Sequence, residues 1–180
     1  MSDIRYIVIA GLGPDRPGIV AECTRYLTER EANVEDSRAL VLGGEFGLMV
    51  LASAEPEAMR RVTQDLGTLE QATGLLIVYR DTVSPEQHRA DQALPYVVEA
   101  SAMDHEGIVH AVSRVLYECG INIVELETTV HNAPITGTPL FRLCARVDIP
   151  VGIPAETVRS ALREVASRHN LDIEMKPGYA

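Results

Sequence analysis

The chain has 180 residues, 46% of them apolar and 23% charged, with a formal net charge of −10 and a pI near 4.9. That length suits one ordinary domain or two small ones, each burying a core of its own. The acidic balance argues against direct nucleic-acid binding, which needs clustered Lys and Arg, and no run of 18 consecutive apolar residues predicts a membrane span.

Residues Met1 to Ile9 carry no basic segment ahead of an apolar one, so no secretory signal is expected and the cytoplasm is the expected compartment. Apolar patterning predicts a first strand over 5–11, then a turn and a helix in which Ile19, Cys23, Tyr26 and Leu27 share one face. Two strands follow over 33–42 and 46–53, joined tightly by Gly43-Gly44. A second helix is predicted over 57–73, with Met59, Val62, Leu66 and Leu69 inward, and a last strand over 75–80. Because Leu75-Leu76-Ile77-Val78-Tyr79 is apolar on both faces, this strand is expected to lie against another module or chain. Ile77→Lys should then alter assembly, and a homo-oligomer is the expected state.

The polar stretch over 81–94, containing Ser84-Pro85-Glu86-Gln87-His88, reads as a linker between a first module at 1–80 and a second at 95–180. The second half repeats the order: a strand over 96–103, a helix with Ile108, Val112, Val115, Leu116 and Cys119 on one face, and strands over 122–131 and 140–148. The hairpin loop here, 132–138, is longer. A helix over 155–169 and an alternating strand over 171–176 complete the set. The order βαββαβ, twice, predicts an α+β fold of two ferredoxin-like modules in tandem, each an antiparallel sheet with its helices on one face.

The halves are also related residue by residue. Asp15 to Asp36 align with Asp104 to Glu125 at a constant offset of 89, with eight of 22 pairs identical, among them Asp15/Asp104, Gly18/Gly107, Ile19/Ile108 and Asn33/Asn122. Unrelated segments would match at about one or two positions, so the chain contains a duplication.

The duplicated turn Asp15-Arg16-Pro17-Gly18-Ile19 has a chemistry of its own. Pro17 suits a first helical turn, Asp15 can cap free amides, and Gly18 lets a backbone or ligand approach the helix start. The free amides and the helix dipole there favour a carboxylate. The plain alternative is that Asp15 only caps and Gly18 only packs. Asn33 and Asn122, at the heads of the second strands, offer both donor and acceptor to amino and carboxylate groups, or serve simply as turn residues.

Catalytic and metal-binding signals are missing. Cys23, Cys119 and Cys144 have no CxxC spacing and read as small buried hydrophobes, and the five histidines form no HExxH, with His105 reading as a solvated loop residue. There is no GxSxG elbow or phosphate loop, and Gly11-Leu12-Gly13 is too short for a dinucleotide fingerprint. No cofactor is expected.

At Asp15-Arg16-Pro17-Gly18-Ile19-Val20, with Asn33-Val34-Glu35-Asp36-Ser37-Arg38 and Gly43-Gly44-Glu45-Phe46, the sequence resembles ACT domains and, more narrowly, the glycine cleavage system transcriptional repressor family. The resemblance covers nearly the whole chain as two copies. It implies modules that pair through strands and helices and bind an amino acid where they meet. Carried over by position, the implied ligand residues are Asp15, Arg16, Pro17, Gly18, Ile19, Asn33 and Val34 in the first copy. In the second they are Asp104, Gly107, Ile108, Asn122 and Ile123, with His105 and Glu106 departing from the pattern. The implied function is an amino-acid-responsive regulator, with glycine or a similar ligand, acting through a transcription activator protein. Formyltetrahydrofolate hydrolases also begin with such a module, but theirs precedes a catalytic domain, whereas here a repeat of the module follows. An RNA-recognition motif would want strand aromatics and a basic surface, against the single Phe46 of the third strand and the acidic charge.

Overall fold

The computed structural model describes residues 4–88, 93–133 and 136–178. Residues 89–92 of the polar stretch, with Pro134 and Ile135 of the second hairpin loop, lie outside the described residues. The chain separates into two compact units, Met1–Arg89 and Ala90–Ala180.

The first unit comprises β1 (Arg5–Pro14), α1 (Ile19–Glu29), β2 (Asn33–Leu42), β3 (Glu45–Ala54), α2 (Pro56–Gln64), α3 (Leu66–Thr73), β4 (Leu76–Thr82) and a one-turn helix, α4 (Pro85–His88). Its antiparallel sheet has the order β2-β3-β1-β4. Strand alternation sends Ile7 and Ile9 of β1 and Leu48, Val50 and Ala52 of β3 into a core with Ile19, Cys23 and Leu27 of α1 and with Met59, Val62 and Leu69 of the later helices. Each fully buried Leu, Ile or Val contributes about 1.5–3 kcal/mol.

The helix predicted over 57–73 is two helices. Asp65 leaves helical geometry (φ −116°, ψ 19°) and accepts a hydrogen bond from Thr68 Oγ1 at 2.6 Å, while Arg30 pairs with its carboxylate. Breaking the helix frees the carbonyls of its last turn, and that of Val62 accepts the buried Tyr26 hydroxyl at 2.7 Å. The guanidinium of Arg30 covers the Tyr26 ring at 3.8 Å.

Gly11 and Gly13 lie on the core side of β1. A Cβ at Gly11 would stand 2.8 Å from Leu75 Cδ1, and one at Gly13 would stand 2.8 Å from the carbonyl oxygen of Gly74. The Gly11-Leu12-Gly13 pattern thus serves close packing under the last strand.

Ile77 also faces the core and is buried, so the expectation that it tests assembly is corrected: alternation turns Leu76 and Val78 outward instead. The outer face of this sheet is unusual in composition. Register places Leu40, Gly47, Leu12 and Leu76 in one row across the four strands. The next row is Arg38, Met49, Ala10 and Val78, and the third is Asp36, Leu51, Val8 and Arg80. Leu76 is 70% exposed, Leu12 57%, Val78 57%, Met49 55% and Leu40 52%.

The second unit repeats the plan with β5 (Ala93–Met103), α5 (Ile108–Glu118), β6 (Asn122–Asn132), β7 (Pro139–Pro150), α6 (Ala155–His169) and β8 (Asp172–Pro177), in sheet order β6-β7-β5-β8. Its core gathers Val98, Ile108, Val112, Leu116, Leu143, Val147, Val158 and Leu162. The outer face differs in kind. The row matching Leu40, Gly47, Leu12 and Leu76 is Thr129, Arg142, Ser101 and Asp172. Ion pairs tie this surface together, including Arg142–Glu99 at 3.0 Å, Arg146–Glu125 at 3.0 Å and Lys176–Glu174 at 2.8 Å. The duplication has kept both cores apolar while the two outer faces have diverged.

Of the polar stretch at 81–94, Asp81 and Thr82 continue β4, Pro85–His88 forms α4, and Ala93 and Leu94 already belong to β5.

Candidate functional site

Each duplicated turn joins a first strand to a first helix in the same way. The Asp15 amide donates to the Gly44 carbonyl at 3.1 Å, and the Asp104 amide donates to that of Pro139 at 3.0 Å, which fixes both turns against the neighbouring hairpins. Gly18 (φ 98°) and Gly107 (φ 90°) are the N-cap residues, in left-handed geometry that a side chain would strain. Ile19 and Ile108 then anchor the helix starts in the two cores.

This geometry corrects two expectations. Asp15 does not cap the helix, since neither N-cap has a side-chain cap hydrogen bond, and Pro17 precedes the cap rather than occupying the first helical position. The first amides of α1 and α5 are therefore left without a side-chain acceptor, at the positive end of each helix dipole.

Arg16 is drawn into its own fold. Its Nη2 donates to the Ala72 carbonyl at 2.5 Å and to Glu22 Oε2 at 2.5 Å, and its Nη1 donates to the Pro17 carbonyl at 3.1 Å. In the second turn His105 Nε2 lies 3.2 Å from the His169 carbonyl oxygen and Nδ1 3.0 Å from that of Glu106, with the His105 and His169 rings stacked at 6.5 Å. His105 is a strut of the turn rather than a free loop residue.

Asn33 and Asn122 open the second strands, and both strands carry a β-bulge at once: between Val34 and Asp36, and between Ile123 and Glu125. A bulge re-aims the side chains around it. In the first unit the bulged Glu35 accepts Asn33 Nδ2 at 3.0 Å and also the Ser53 hydroxyl. Those two hydrogen bonds, Ser53 first and Asn33 second, hold the Glu35 carboxyl below the usual glutamate range, so it stays anionic. In the second unit the bulged residue is Val124 and the strand opposes Asn122 with Asp148. The pairing of Glu35 with Ser53 went unnoticed in the sequence, because a bulge breaks the alternation on which strand reading depends. The recurring asparagine was the available signal.

Within one unit, the turn and the strand head do not meet. The Asp15–Ile19 turn sits beside Gly44, whereas Asn33 pairs with Ser53, which pairs with Tyr6 at the start of β1. Helix α1 alone separates them by about 16 Å, at 1.5 Å per residue. The second unit repeats this, with Asp104 beside Pro139 and Asn122 opposite Asp148, which pairs with Pro95 on β5. Val34 and Ile123 accompany their asparagines. An open hollow of about 840 Å³ on the second unit is lined by Ser101, Met103, His131, Arg142 and Asp172 among others, none of them a predicted ligand residue.

Among the described residues no group of three or more His, Cys, Asp or Glu is placed to hold a metal, and no helix is long and apolar enough to cross a membrane.

The profile of the ACT domain matches residues 5–80. Along 94% of its length the chain is 26% identical to the glycine cleavage system transcriptional repressor of Escherichia coli, covering 88% of that protein. It is 32% identical over 85 residues to a UPF0237 protein of Methanopyrus kandleri, covering 94% of it. An unknown protein from Galdieria sulphuraria superposes with a TM-score of 0.84 at 34% identity, over 98% of this chain and 100% of that one. A candidate glycine cleavage system transcriptional repressor shares the fold with a TM-score of 0.74 at 23% identity, over 99% and 100% of the two chains. With the matched profile, the duplicated turn and two sheets of ferredoxin-like order, the chain belongs to the ACT-domain proteins, as a tandem of two modules resembling the glycine cleavage system transcriptional repressors.

Proposed function

We propose that the chain is an amino-acid-responsive regulator, not a catalyst, whose effector is glycine or a similarly small amino acid. The observation that carries this reading is the pair of uncapped helix starts behind Gly18 and Gly107, each a seat for a carboxylate, in a chain whose second strands open on Asn33 and Asn122. The ligand contacts assigned are Asp15, Arg16, Pro17, Gly18, Ile19, Asn33 and Val34, with Asp104, Gly107, Ile108, Asn122 and Ile123 as the second set.

Each turn and its own asparagine stand at opposite ends of a helix, so within one module they are two separate sets of contacts. A ligand signals only by binding one state of the chain better than another, and the signal is as large as that difference in affinity. The Asp15–Gly18 turn is the first seat, since it keeps the fuller motif. The regulated partner is a transcription activator protein rather than DNA, in keeping with the net charge of −10, and the compartment is the cytoplasm.

Isothermal titration and thermal shift with glycine, serine and alanine test the reading. Asp15→Ala or Asn33→Ala should weaken binding at least ten-fold, and parallel changes at Asp104 and Asn122 assign the second set. Absence of heat and of any shift at millimolar ligand, or deformylase turnover by the purified chain, would sink it.

A further inference from the structure

We propose that the outer face of the first sheet docks onto the same face of a second copy of the chain, forming a two-fold dimer. This goes beyond ligand sensing and does not depend on it.

The face carries a contiguous apolar patch: Leu12, Leu40, Met49, Leu76 and Val78 each expose more than half of their area. Together they present roughly 600 Å², at the upper end of what a monomer leaves bare. Two such faces bury about 1,200 Å² in total, the lower bound of a stable interface.

Chemistry selects the occupant. The outer face of the second sheet is unsuitable, because Glu99, Glu125, Arg142, Arg146 and Glu174 would lose water against an apolar surface that returns no hydrogen bonds. An anionic lipid surface is disfavoured by the net charge of −10. The face does complement itself. Gly47 and Ala10 form recesses beside the projecting Leu12 and Met49, so two copies can interdigitate as the inner faces of a sandwich do.

Its charges also match under a two-fold. Asp36 on β2 and Arg80 on β4 end the same row at opposite edges of the sheet. Rotation about an axis parallel to the strands lays each β2 over the β4 of the other copy, so Asp36 meets the second copy's Arg80 twice. Ser37 N and Arg38 Nη1 both bond to Asp36 Oδ1, at 2.7 and 2.6 Å, leaving Oδ2 able to accept. Among the described residues Arg80 has no ion pair.

Sedimentation velocity on the full chain from about 5 to 200 μM tests this. Wild type should sediment at twice the 19.7 kDa chain mass. Met49→Lys should raise the dimer dissociation constant at least ten-fold, and Leu76→Lys, at a more exposed site, decides the matter if Met49→Lys fails to fold. Thr129→Lys, in the matching row of the second sheet, should leave the dimer intact. Arg80→Asp should weaken it, and adding Asp36→Arg should restore it. A monomeric wild type would overturn the proposal: lowered melting of Met49→Lys would assign the face to another part of the same chain, and unchanged melting would leave it to a foreign partner. Dimers that survive both lysine variants, or a charge reversal without restoration, would overturn it equally.

Discussion

Arg16 and His105 stand 89 residues apart in the sequence and make the same connection, each tying its turn to a carbonyl in the last turn of the helix before the final strand. The side chains differ in size, charge and planarity. The role survives because both place a ring or guanidinium nitrogen within reach of the same kind of acceptor, the unsatisfied carbonyls of a helix end. Arg16→Ala should cost about 1 kcal/mol in urea unfolding, a modest value because the ion pair with Glu22 is partly exposed. Arg16→His, which imports the residue of the second module, should lose less than Arg16→Ala.

Two glycines of the first turn should respond differently to alanine. At Gly18 the nearest atom to an added Cβ is Arg16 Nη1 at 3.7 Å, so the penalty is the left-handed backbone alone, about 1–2 kcal/mol. At Gly13 the added atom would strike the Gly74 carbonyl at 2.8 Å, and backbone cannot step aside as a side chain can. Gly13→Ala should therefore cost more, about 2–3 kcal/mol, and shift β4. Urea midpoints rank the pair, and equal losses would contradict the steric account.

Acid stability should depend measurably on Glu35. Its folded-state pKa lies below the ordinary glutamate value of 4.5, so its contribution is complete above that value and fades as pH falls through it toward the folded one. Glu35→Gln should flatten the acid limb of a stability–pH curve while leaving neutral pH nearly unchanged. Ser53→Ala should reproduce most of the effect, because the Ser53 hydroxyl is the larger cause.

The three free thiols should separate kinetically. Burial pushes the Cys23 thiol up to about 11, with the Glu22 carboxylate adding to the effect, so only about one molecule in a thousand carries a thiolate there at pH 8. Cys119 and Cys144 are half-buried. Disulfide-exchange reagents should label Cys119 and Cys144 in the folded chain and reach Cys23 at the unfolding rate.

Much of the architecture was legible because the two periodicities are strong. Residues 33–42 and 155–169 were delimited in the sequence as the structure has them, and the order of elements in both halves follows from patterning plus the repeat. The helix break at Asp65 was hidden, since Val62, Leu66 and Leu69 keep helical spacing straight through it. Ile77 was chosen as the test of assembly because a strand apolar on both sides gives no phase; pairing with Gly11 and burial supply that phase. At the site, the turn was visible in its residues, but the separation of Asp15 from Asn33 was not. That separation comes from the direction in which α1 carries the chain, which composition does not record.

The two hairpins leave the modules unequal in time. Gly43 and Gly44 alone connect β2 to β3, whereas residues 133–138 connect β6 to β7. Closing the longer loop costs more chain entropy, by about 1 kcal/mol on the logarithmic dependence on length. The hairpin of the first module should form several times faster, and it leaves the ribosome first. A nascent chain would thus hold one finished half while the other is still searching for its register, which limits the exchange of strands between two halves of common ancestry.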